Sequence, residues 1–119
     1  MSDIKRLTTG PRMSQAVVHG NTVYLAGQVA LNAQGAPVAE QTRDIVASID
    51  RLLAEVGTSK ERLLSATIWL ADIGTFNDMN GVWDAWVAPG NTPARACVEA
   101  KLAAPQFTVE IAVIAALPS

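Results

Sequence analysis

Apolar and polar positions follow two different periods along this chain, and each change of period marks a boundary between predicted elements. Two short apolar runs flank Gly20 and Asn21, a pair that favours a tight turn, so residues 14–29 are predicted to form a β-hairpin. Residues 40–56 carry apolar side chains at helical spacing, which predicts an amphipathic helix. Residues 64–71 are β-branched and aromatic at their centre, which predicts a buried strand.

The second half of the chain repeats this alternation of helix and strand. A second helix is predicted to start at Thr75, with Asp78 as the acid of a capping box. Two strands follow, at residues 94–100 and 107–117. The order of elements predicts the α+β class, with one mixed β-sheet and two helices packed on one of its faces. No predicted element is left to cover the Val and Ile side chains of the other face, so we expect an oligomer that buries it.

The composition limits the class of protein. A chain of 119 residues is expected to form one domain, residues 1–119. Half of the residues are hydrophobic and the mean hydropathy is +0.22, which fits burial of further surface by self-association. No apolar run reaches the ~18 residues that span a membrane, and residues 1–6 lack the apolar core of a signal peptide. We therefore expect a cytoplasmic protein that does not enter a membrane.

Charge and residue counts exclude several kinds of partner. The formal net charge is -2 and no run of Lys and Arg is present, which argues against nucleic-acid binding. The single cysteine, Cys97, excludes an intrachain disulfide, and the single histidine, His19, argues against a multi-histidine metal site. We therefore expect no metal site.

Two charged residues lie in the apolar strands near the C-terminus, Arg95 and Glu110. A charge inside an apolar strand is unfavourable unless it has a partner or a function. Arginine binds a carboxylate through two parallel hydrogen bonds, and desolvation raises the pKa of a carboxyl group and makes it a better base. The pair indicates a site that binds a small anionic ligand and moves a proton. A structural ion pair is the alternative.

The register of the last two strands decides whether these residues meet. If the strands pair antiparallel through the loop 101–106, Cys97 lies opposite Glu110, and Arg95 shares its face. The two strands could instead meet across a subunit boundary. Cys97 itself is more typical of a small buried hydrophobe than of a nucleophile.

Two further positions carry weaker signals. Gly27 could mark a close approach of the backbone to a ligand, or simply a bulge. Asn80 could bond a loop or face solvent. The three tryptophans lie on the apolar sides of their elements and are predicted to be core or interface residues: Trp69, Trp83 and Trp86.

Four segments resemble the YjgF/RidA family of reactive-intermediate deaminases, whose old name is endoribonuclease L-PSP, and the resemblance covers about residues 7–117. Residues 92–99 (Thr-Pro-Ala-Arg-Ala-Cys-Val-Glu) carry its strongest motif, and residues 108–115 resemble its closing strand with a glutamate. Residues 26–29 (Ala-Gly-Gln-Val) and 76–80 (Phe-Asn-Asp-Met-Asn) resemble two further family segments.

The resemblance implies a chorismate-mutase-like fold and a homotrimer with ligand clefts between subunits. It also implies hydrolysis of enamine or imine intermediates of amino acids to 2-keto acids and ammonia, without a cofactor. By this resemblance Arg95 binds the substrate carboxylate and Glu110 positions and activates water. Gly27 and Cys97 line the cleft, largely through backbone groups, and Asn80 shapes it.

The chain departs from the family near its N-terminus. Where the deaminases read Gly-Pro-Tyr-Ser-Gln-Ala, residues 10–16 read Gly-Pro-Arg-Met-Ser-Gln-Ala, so Met13 replaces the cleft tyrosine and Arg12 is additional. Thr92 also replaces a frequent aromatic residue. These changes resemble a divergent, YoaB-like branch. They leave two hypotheses open, an imine deaminase and a non-catalytic protein that binds a small carboxylate, and the composition disfavours a ribonuclease.

Overall fold

The computed structural model of the chain describes residues 3–118, and Met1, Ser2 and Ser119 of the predicted domain lie outside the described residues. The described part contains six strands and two α-helices. The strands are β1 (Ile4–Thr9), β2 (Ser14–His19), β3 (Thr22–Leu25), β4 (Leu63–Leu70), β5 (Ala94–Glu99) and β6 (Val109–Ala116), and the helices are α1 (Val38–Glu55) and α2 (Phe76–Trp86). Single 3-10 turns at Lys60–Arg62 and Ile73–Thr75 precede β4 and α2.

All six strands form one mixed sheet in the order β1-β2-β3-β6-β4-β5. The pair β4 and β5 is parallel and every other neighbouring pair is antiparallel. The connections β3-α1-β4 and β4-α2-β5 each join parallel strands and advance in the same direction across the sheet, so right-handed crossovers place both helices on one face. The two helices pack against each other. The predicted fold, a mixed sheet with two helices on one face, is confirmed.

The alternation of β6 shows how the sequence fills the two faces of the sheet. Its odd-numbered side chains, from Val109 to Ala115, are buried beneath the helices, while its even-numbered ones are only partly buried. Helix α1 meets this layer with one buried stripe, and the residues of that stripe share helical spacing: Val38, Gln41, Thr42, Ile45, Val46, Ile49 and Leu53. The core therefore lies between the helices and one sheet face.

The predicted hairpin is confirmed at its turn. His19 pairs with Thr22, and Gly20 adopts a φ of 62°, a value that L side chains rarely adopt. Strand β1 was not predicted, because residues 4–9 lie at an exposed sheet edge, where Leu7 alone is partly buried, and so show no clear alternation.

The predicted capping box at the start of α2 is wrong. Thr75 makes no side-chain capping bond, and α2 begins one residue later, at Phe76. Asp72 supplies the local order instead, since its Oδ1 accepts a hydrogen bond of 2.8 Å from the amide of Gly74 and its carbonyl accepts one of 2.6 Å from the Thr75 hydroxyl. The cap therefore belongs to the preceding 3-10 turn.

An antiparallel pairing of β5 with β6, one of the two arrangements that the sequence left open, does not form within the chain, because β4 lies between the two strands. Helix α2 connects β4 to β5, which runs parallel to β4. The segment after β5 then crosses the end of β4 and leads into β6. Hydrogen bonds at that end hold the crossing, from the amide of Ala100 to the carbonyl of Leu70 (2.9 Å) and from the amide of Ala71 to the carbonyl of Thr108 (3.1 Å).

The face of the sheet away from the helices is not covered by described elements. Tyr24 and Val98 on this face are 45% and 47% exposed, and Trp69 and Ile114 are partly buried. We call this surface the open face. The prediction that a second copy covers it stays a prediction. No helix within residues 3–118 has the length and apolar character needed to cross a bilayer.

Candidate functional site

Arg95 lies on the edge strand β5 and is held by one side of α2. Its Nη1 donates a hydrogen bond of 2.7 Å to Oδ1 of Asn80. Its Cζ lies 5.4 Å from the ring centroid of Trp83 and 5.8 Å from that of Phe76. Because residues 76, 80 and 83 follow helical spacing, one face of α2 presents all three groups to the guanidinium.

These contacts orient the guanidinium without neutralising it. Asn80 is an uncharged acceptor, and it occupies one of the five N–H donors of Arg95. The side chain of Arg95 remains exposed, so its other donors are accessible to a ligand. An oriented and accessible guanidinium is suited to binding a planar carboxylate.

Glu110 lies on β6 and projects towards the open face. It is partly buried, and this burial raises the pKa of its carboxyl group above the ordinary value, because the charged form loses solvation. The carboxyl group lies against Gly27, where a Cβ would overlap Oε2 and come within 3.0 Å of Cδ. The absence of a side chain at position 27 therefore makes room for this carboxyl group.

The segment around Gly27 is fixed to the sheet on both sides. Gln28 exchanges two backbone hydrogen bonds with Ile111, of 2.8 and 3.1 Å, and the amide of Ala26 donates to the carbonyl of Gln15 at 2.9 Å. The side chains of Gln28 and Gln15 also share a hydrogen bond of 2.9 Å from Nε2 to Oε1. This glutamine pair was not singled out from the sequence, since two amides 13 residues apart give no local pattern.

Arg95 and Glu110 do not meet within one chain. Glu110 is in register with Trp69 and Val98, so these three side chains share the open face. Arg95 pairs with Ala66 and therefore points to the opposite face. Two strand spacings of about 4.8 Å and three residues of about 3.3 Å separate the two Cα atoms by roughly 14 Å. The two faces of the sheet separate the functional groups of these side chains further.

Cys97 shares the face of Arg95 rather than that of Glu110. It pairs with Ile68, which in turn pairs with the buried Ile111. Burial raises the pKa of the Cys97 thiol, and the nearby charge of Arg95 opposes this only in part. A partly buried thiol with a raised pKa is a poor nucleophile at neutral pH, in agreement with its assignment as a small packing residue.

The predicted site residues therefore form two groups. The arginine group, at one edge of the sheet, consists of Asn80, Arg95 and Cys97. The glutamate group consists of Gly27 and Glu110, and it lies beyond β4 from β5. Met13 directly precedes β2, on the same side of β4 as the glutamate group, and is 49% exposed; its carbonyl accepts a bond of 2.8 Å from the amide of Gly10.

Two concave surfaces of the single chain lie elsewhere. A groove of about 600 Å³ between the helices is lined by residues that include Arg43, Val82 and Trp86. A cavity of about 710 Å³ lies under the segment after β5 and includes Glu99 and Lys101. Neither Arg95 nor Glu110 lines these two surfaces. Residues that act on one ligand are expected to face the same cavity, so neither surface is the site predicted for these two residues. Within residues 3–118, no three His, Cys, Asp or Glu side chains are placed to hold a metal ion.

Trp83 and Phe76 are the contacts of Arg95 that the sequence analysis missed. Trp83 was assigned to the core or an interface, and it is indeed only 4% exposed. Helical spacing indicated that Phe76, Trp83 and Val87 share one face of the helix. Nothing in the sequence showed that β5 would place an arginine beside that face.

Comparison with known proteins gives a consistent result over nearly the whole chain. A sequence profile described as Endoribonuclease L-PSP matches residues 4–117. The RutC family protein YoaB of Escherichia coli is 43% identical over 114 residues, which cover 96% of this chain and 98% of that protein. A RutC family protein of Haemophilus influenzae is 42% identical over 112 residues, covering 94% and 97% of the two chains.

Solved structures show the same similarity in three dimensions. The crystal structure of a member of the YjgF protein family from Neisseria meningitidis is 50% identical and superposes with a TM-score of 0.95, covering 98% of this chain and 97% of that one. The crystal structure of a putative translation initiation inhibitor from Salmonella typhimurium is 41% identical with a TM-score of 0.87, covering 96% and 97%.

Proposed function

The chain belongs to the endoribonuclease L-PSP family, with the YjgF and RutC proteins as its relatives, and from this we propose that it hydrolyses reactive 2-imino and enamine acids to 2-keto acids and ammonia. The observation that carries the proposal is the guanidinium of Arg95, oriented by Asn80 yet left charged and exposed. Such a group binds the carboxylate that every 2-imino acid and 2-keto acid carries.

The proposed reaction needs only a bound water and proton transfer. Water attacks the carbon of the protonated C=N bond while Glu110 takes one of its protons, which gives a neutral tetrahedral amino alcohol. Glu110 then returns this proton to the nitrogen, the C–N bond breaks to release ammonia, and Glu110 takes the hydroxyl proton as the C=O bond of the keto acid forms. This last proton passes from Glu110 to ammonia or solvent. Desolvation of Glu110 supports this role, because a raised carboxyl pKa makes the carboxylate a better base.

We place this site between chains, in a homotrimer. Two findings support the placement: Arg95 and Glu110 project from opposite faces of the sheet, and the open face carries exposed apolar side chains such as Tyr24 and Val98. A neighbouring chain that covers the open face would bring its arginine group to the glutamate group of the first chain. Most oligomers of identical chains form such closed symmetric assemblies.

A coupled assay tests the activity. An amino-acid oxidase generates 2-imino acids in solution, and their disappearance is followed with and without this protein. We expect faster loss of the imino acid with the wild-type chain and no acceleration with Arg95→Ala. Equal rates for the wild type, the variant and buffer would reject the deaminase.

One observation favours a second candidate, a non-catalytic protein that binds a small carboxylate in the same cleft. Met13 stands where the deaminases carry tyrosine, and it is 49% exposed. A thioether donates no hydrogen bond, so a polar contact to the ligand is lost there. This candidate predicts that the wild-type chain binds 2-keto acids in calorimetry yet leaves the loss of imino acids unchanged.

We do not propose the ribonuclease activity that the family name endoribonuclease L-PSP describes. The formal net charge of the chain is -2 and its pI is about 5.2. Binding of RNA depends on neutralising phosphates with a surface of Lys and Arg side chains, and such a basic run is missing from the sequence.

A further inference from the structure

We infer that Trp83, assisted by Phe76, is a positioning residue that sets the plane of the Arg95 guanidinium for the ligand carboxylate. This inference rests on the carboxylate-binding role proposed for Arg95. We assign different roles to the two kinds of contact. The aromatic rings fix the plane of the guanidinium, and Asn80 fixes its rotation within that plane.

The geometry around Arg95 supports these two roles. Cζ lies 5.4 Å from the ring centroid of Trp83 and 5.8 Å from that of Phe76, within the range of cation-π attraction. These contacts place the guanidinium carbon over both rings. The hydrogen bond of 2.7 Å from Nη1 to Asn80 acts in the plane of the guanidinium, where its N–H groups lie. Two kinds of contact in different directions leave little rotational freedom.

The contacts that orient the Arg95 side chain come from α2 and not from its own strand. Its strand, β5, lies at the edge of the sheet and its side chain is exposed. An exposed arginine samples many rotamers, and a ligand that binds it must then restrict them. A guanidinium already held in the bound orientation avoids that cost, so pre-organisation raises affinity without a new contact to the ligand.

Trp83 is rigid enough for this task. It is 4% exposed, and its ring packs at 5.3 Å from that of Trp86 with an interplanar angle of 57°. Trp86 is itself fixed, because its Nε1 donates a hydrogen bond of 3.0 Å to Oδ2 of Asp50. Phe76 is 37% exposed and is therefore less constrained by packing than Trp83.

Trp86 provides a matched control. It lies on the same helix, is 8% exposed and touches the ring of Trp83, but the cation over its own ring is Lys60, with Nζ 5.4 Å from the centroid. Replacement of either tryptophan by leucine removes a large buried ring from α2. Only the change at position 83 removes a ring next to Arg95.

The experiment compares Trp83→Leu, Trp83→Phe and Trp86→Leu by calorimetric titration with 2-oxobutyrate. We expect the dissociation constant to rise about 5-fold in Trp83→Leu, from a lost cation-π contact and lost pre-organisation. Trp83→Phe should restore most of the affinity because it keeps a ring. Trp86→Leu should melt at a lower temperature and weaken binding less than Trp83→Leu does, because it loosens the packing of Trp83 but keeps the ring next to Arg95. Equal weakening in both leucine variants would overturn the inference.

A second measurement requires no ligand. In the wild type, we expect the ring currents of Trp83 and Phe76 to shift the Nε–Hε resonance of Arg95. NMR of the nitrogen-15-labelled protein detects this resonance, and its loss in Arg95→Lys assigns it. Trp83→Leu should move this resonance towards the value of a free arginine, and Trp86→Leu should move it less. If Trp83→Leu does not fold, Phe76→Leu at its partly exposed position is expected to cause the same shift. An unchanged resonance in the folded variants would overturn the inference.

The two measurements separate this inference from the proposed function. A wild-type chain that fails to bind 2-oxobutyrate contradicts the carboxylate-binding role of Arg95. The NMR comparison then still decides whether Trp83 orients the guanidinium.

Discussion

The carboxyl group of Glu110 lies against the backbone of Gly27, in space that a side chain at position 27 would fill. Gly27 lies in the segment after β3 and Glu110 in β6, and the backbone bonds between Gln28 and Ile111 hold the two together. This contact explains a glycine that backbone geometry does not require, since Gly27 is not among the glycines with positive φ. It also sets the position of the one carboxyl group proposed as a base.

Gly27→Ala tests this contact. The new methyl group would overlap Oε2 of Glu110, so the carboxyl group must move. We expect imino-acid turnover to fall and the free energy of unfolding to drop by about 1–3 kcal/mol, as for other overpacked sites. Gly81→Ala is the control, because a Cβ at that helical position has no neighbour within 4 Å, and it should be neutral or stabilising. Wild-type turnover in Gly27→Ala would show that Glu110 needs no fixed position.

The raised pKa of Glu110 predicts a dependence of stability on pH. Because burial favours the protonated form in the folded chain, the group contributes stability that is complete below its unfolded pKa and lost as pH rises through its raised folded pKa. Glu110→Gln removes this titration. We therefore expect the melting temperature of the wild type, relative to that of Glu110→Gln, to fall as pH rises from about 4 to 8. A constant difference across this range would show that Glu110 is not desolvated.

Arg95→Ala should weaken the binding of 2-oxobutyrate by on the order of 2–4 kcal/mol, because a bidentate charge-assisted pair is lost. Arg95→Lys should recover little of this, since an ammonium group cannot reproduce the planar fork. Calorimetry measures both. The control is Arg51→Ala, which removes the same charge from an exposed position on α1, where Arg51 donates a hydrogen bond to Oγ of Ser48. If Arg51→Ala weakens binding as much as Arg95→Ala, the effect is one of net charge.

The open face predicts the oligomeric state. Light scattering at micromolar concentration is expected to give the mass of a trimer for the wild type. In the single chain, Tyr24 is 45% exposed and Val98 is 47% exposed, and both lie on the open face. Tyr24→Glu and Val98→Glu each place a charge there, so each should disrupt the trimer and leave the chain folded. Leu31→Glu, at a loop residue that is 68% exposed, is the control and should leave the trimer intact. A monomeric wild type would remove the proposed cleft between chains.

The sequence predicted those parts of the fold that depend on local patterns. The helix α1 follows from apolar spacing, and the hairpin turn follows from Gly20, because neighbours in sequence determine both. The sequence left an antiparallel pairing of β5 with β6 open, and it does not form, because pairing across the sheet is decided by the α2 crossover and not by residues near the loop. Strand β1 was missed because an exposed edge strand buries almost no side chain.

The candidate site shows the same limit. Arg95 and Glu110 were recognised as candidates because each is a charged residue in an apolar strand. The chemistry proposed for them follows from the properties of a guanidinium and a carboxyl group. Their placement on opposite faces depends on two register relations, each across β4. The role inferred for Trp83 likewise required the parallel pairing that brings β5 beside α2.

A mixed-oligomer experiment tests the central claim, that Arg95 of one chain and Glu110 of another act in one site. Arg95→Ala and Glu110→Gln are each assayed alone on 2-imino acids, and then after being unfolded and refolded together in equal amounts. Each alone should be impaired, Glu110→Gln by roughly 10²–10⁴-fold. In the mixture, about one quarter of the sites should combine an intact arginine with an intact glutamate, so about one quarter of wild-type turnover should return. A mixture no more active than the separate variants would contradict the claim.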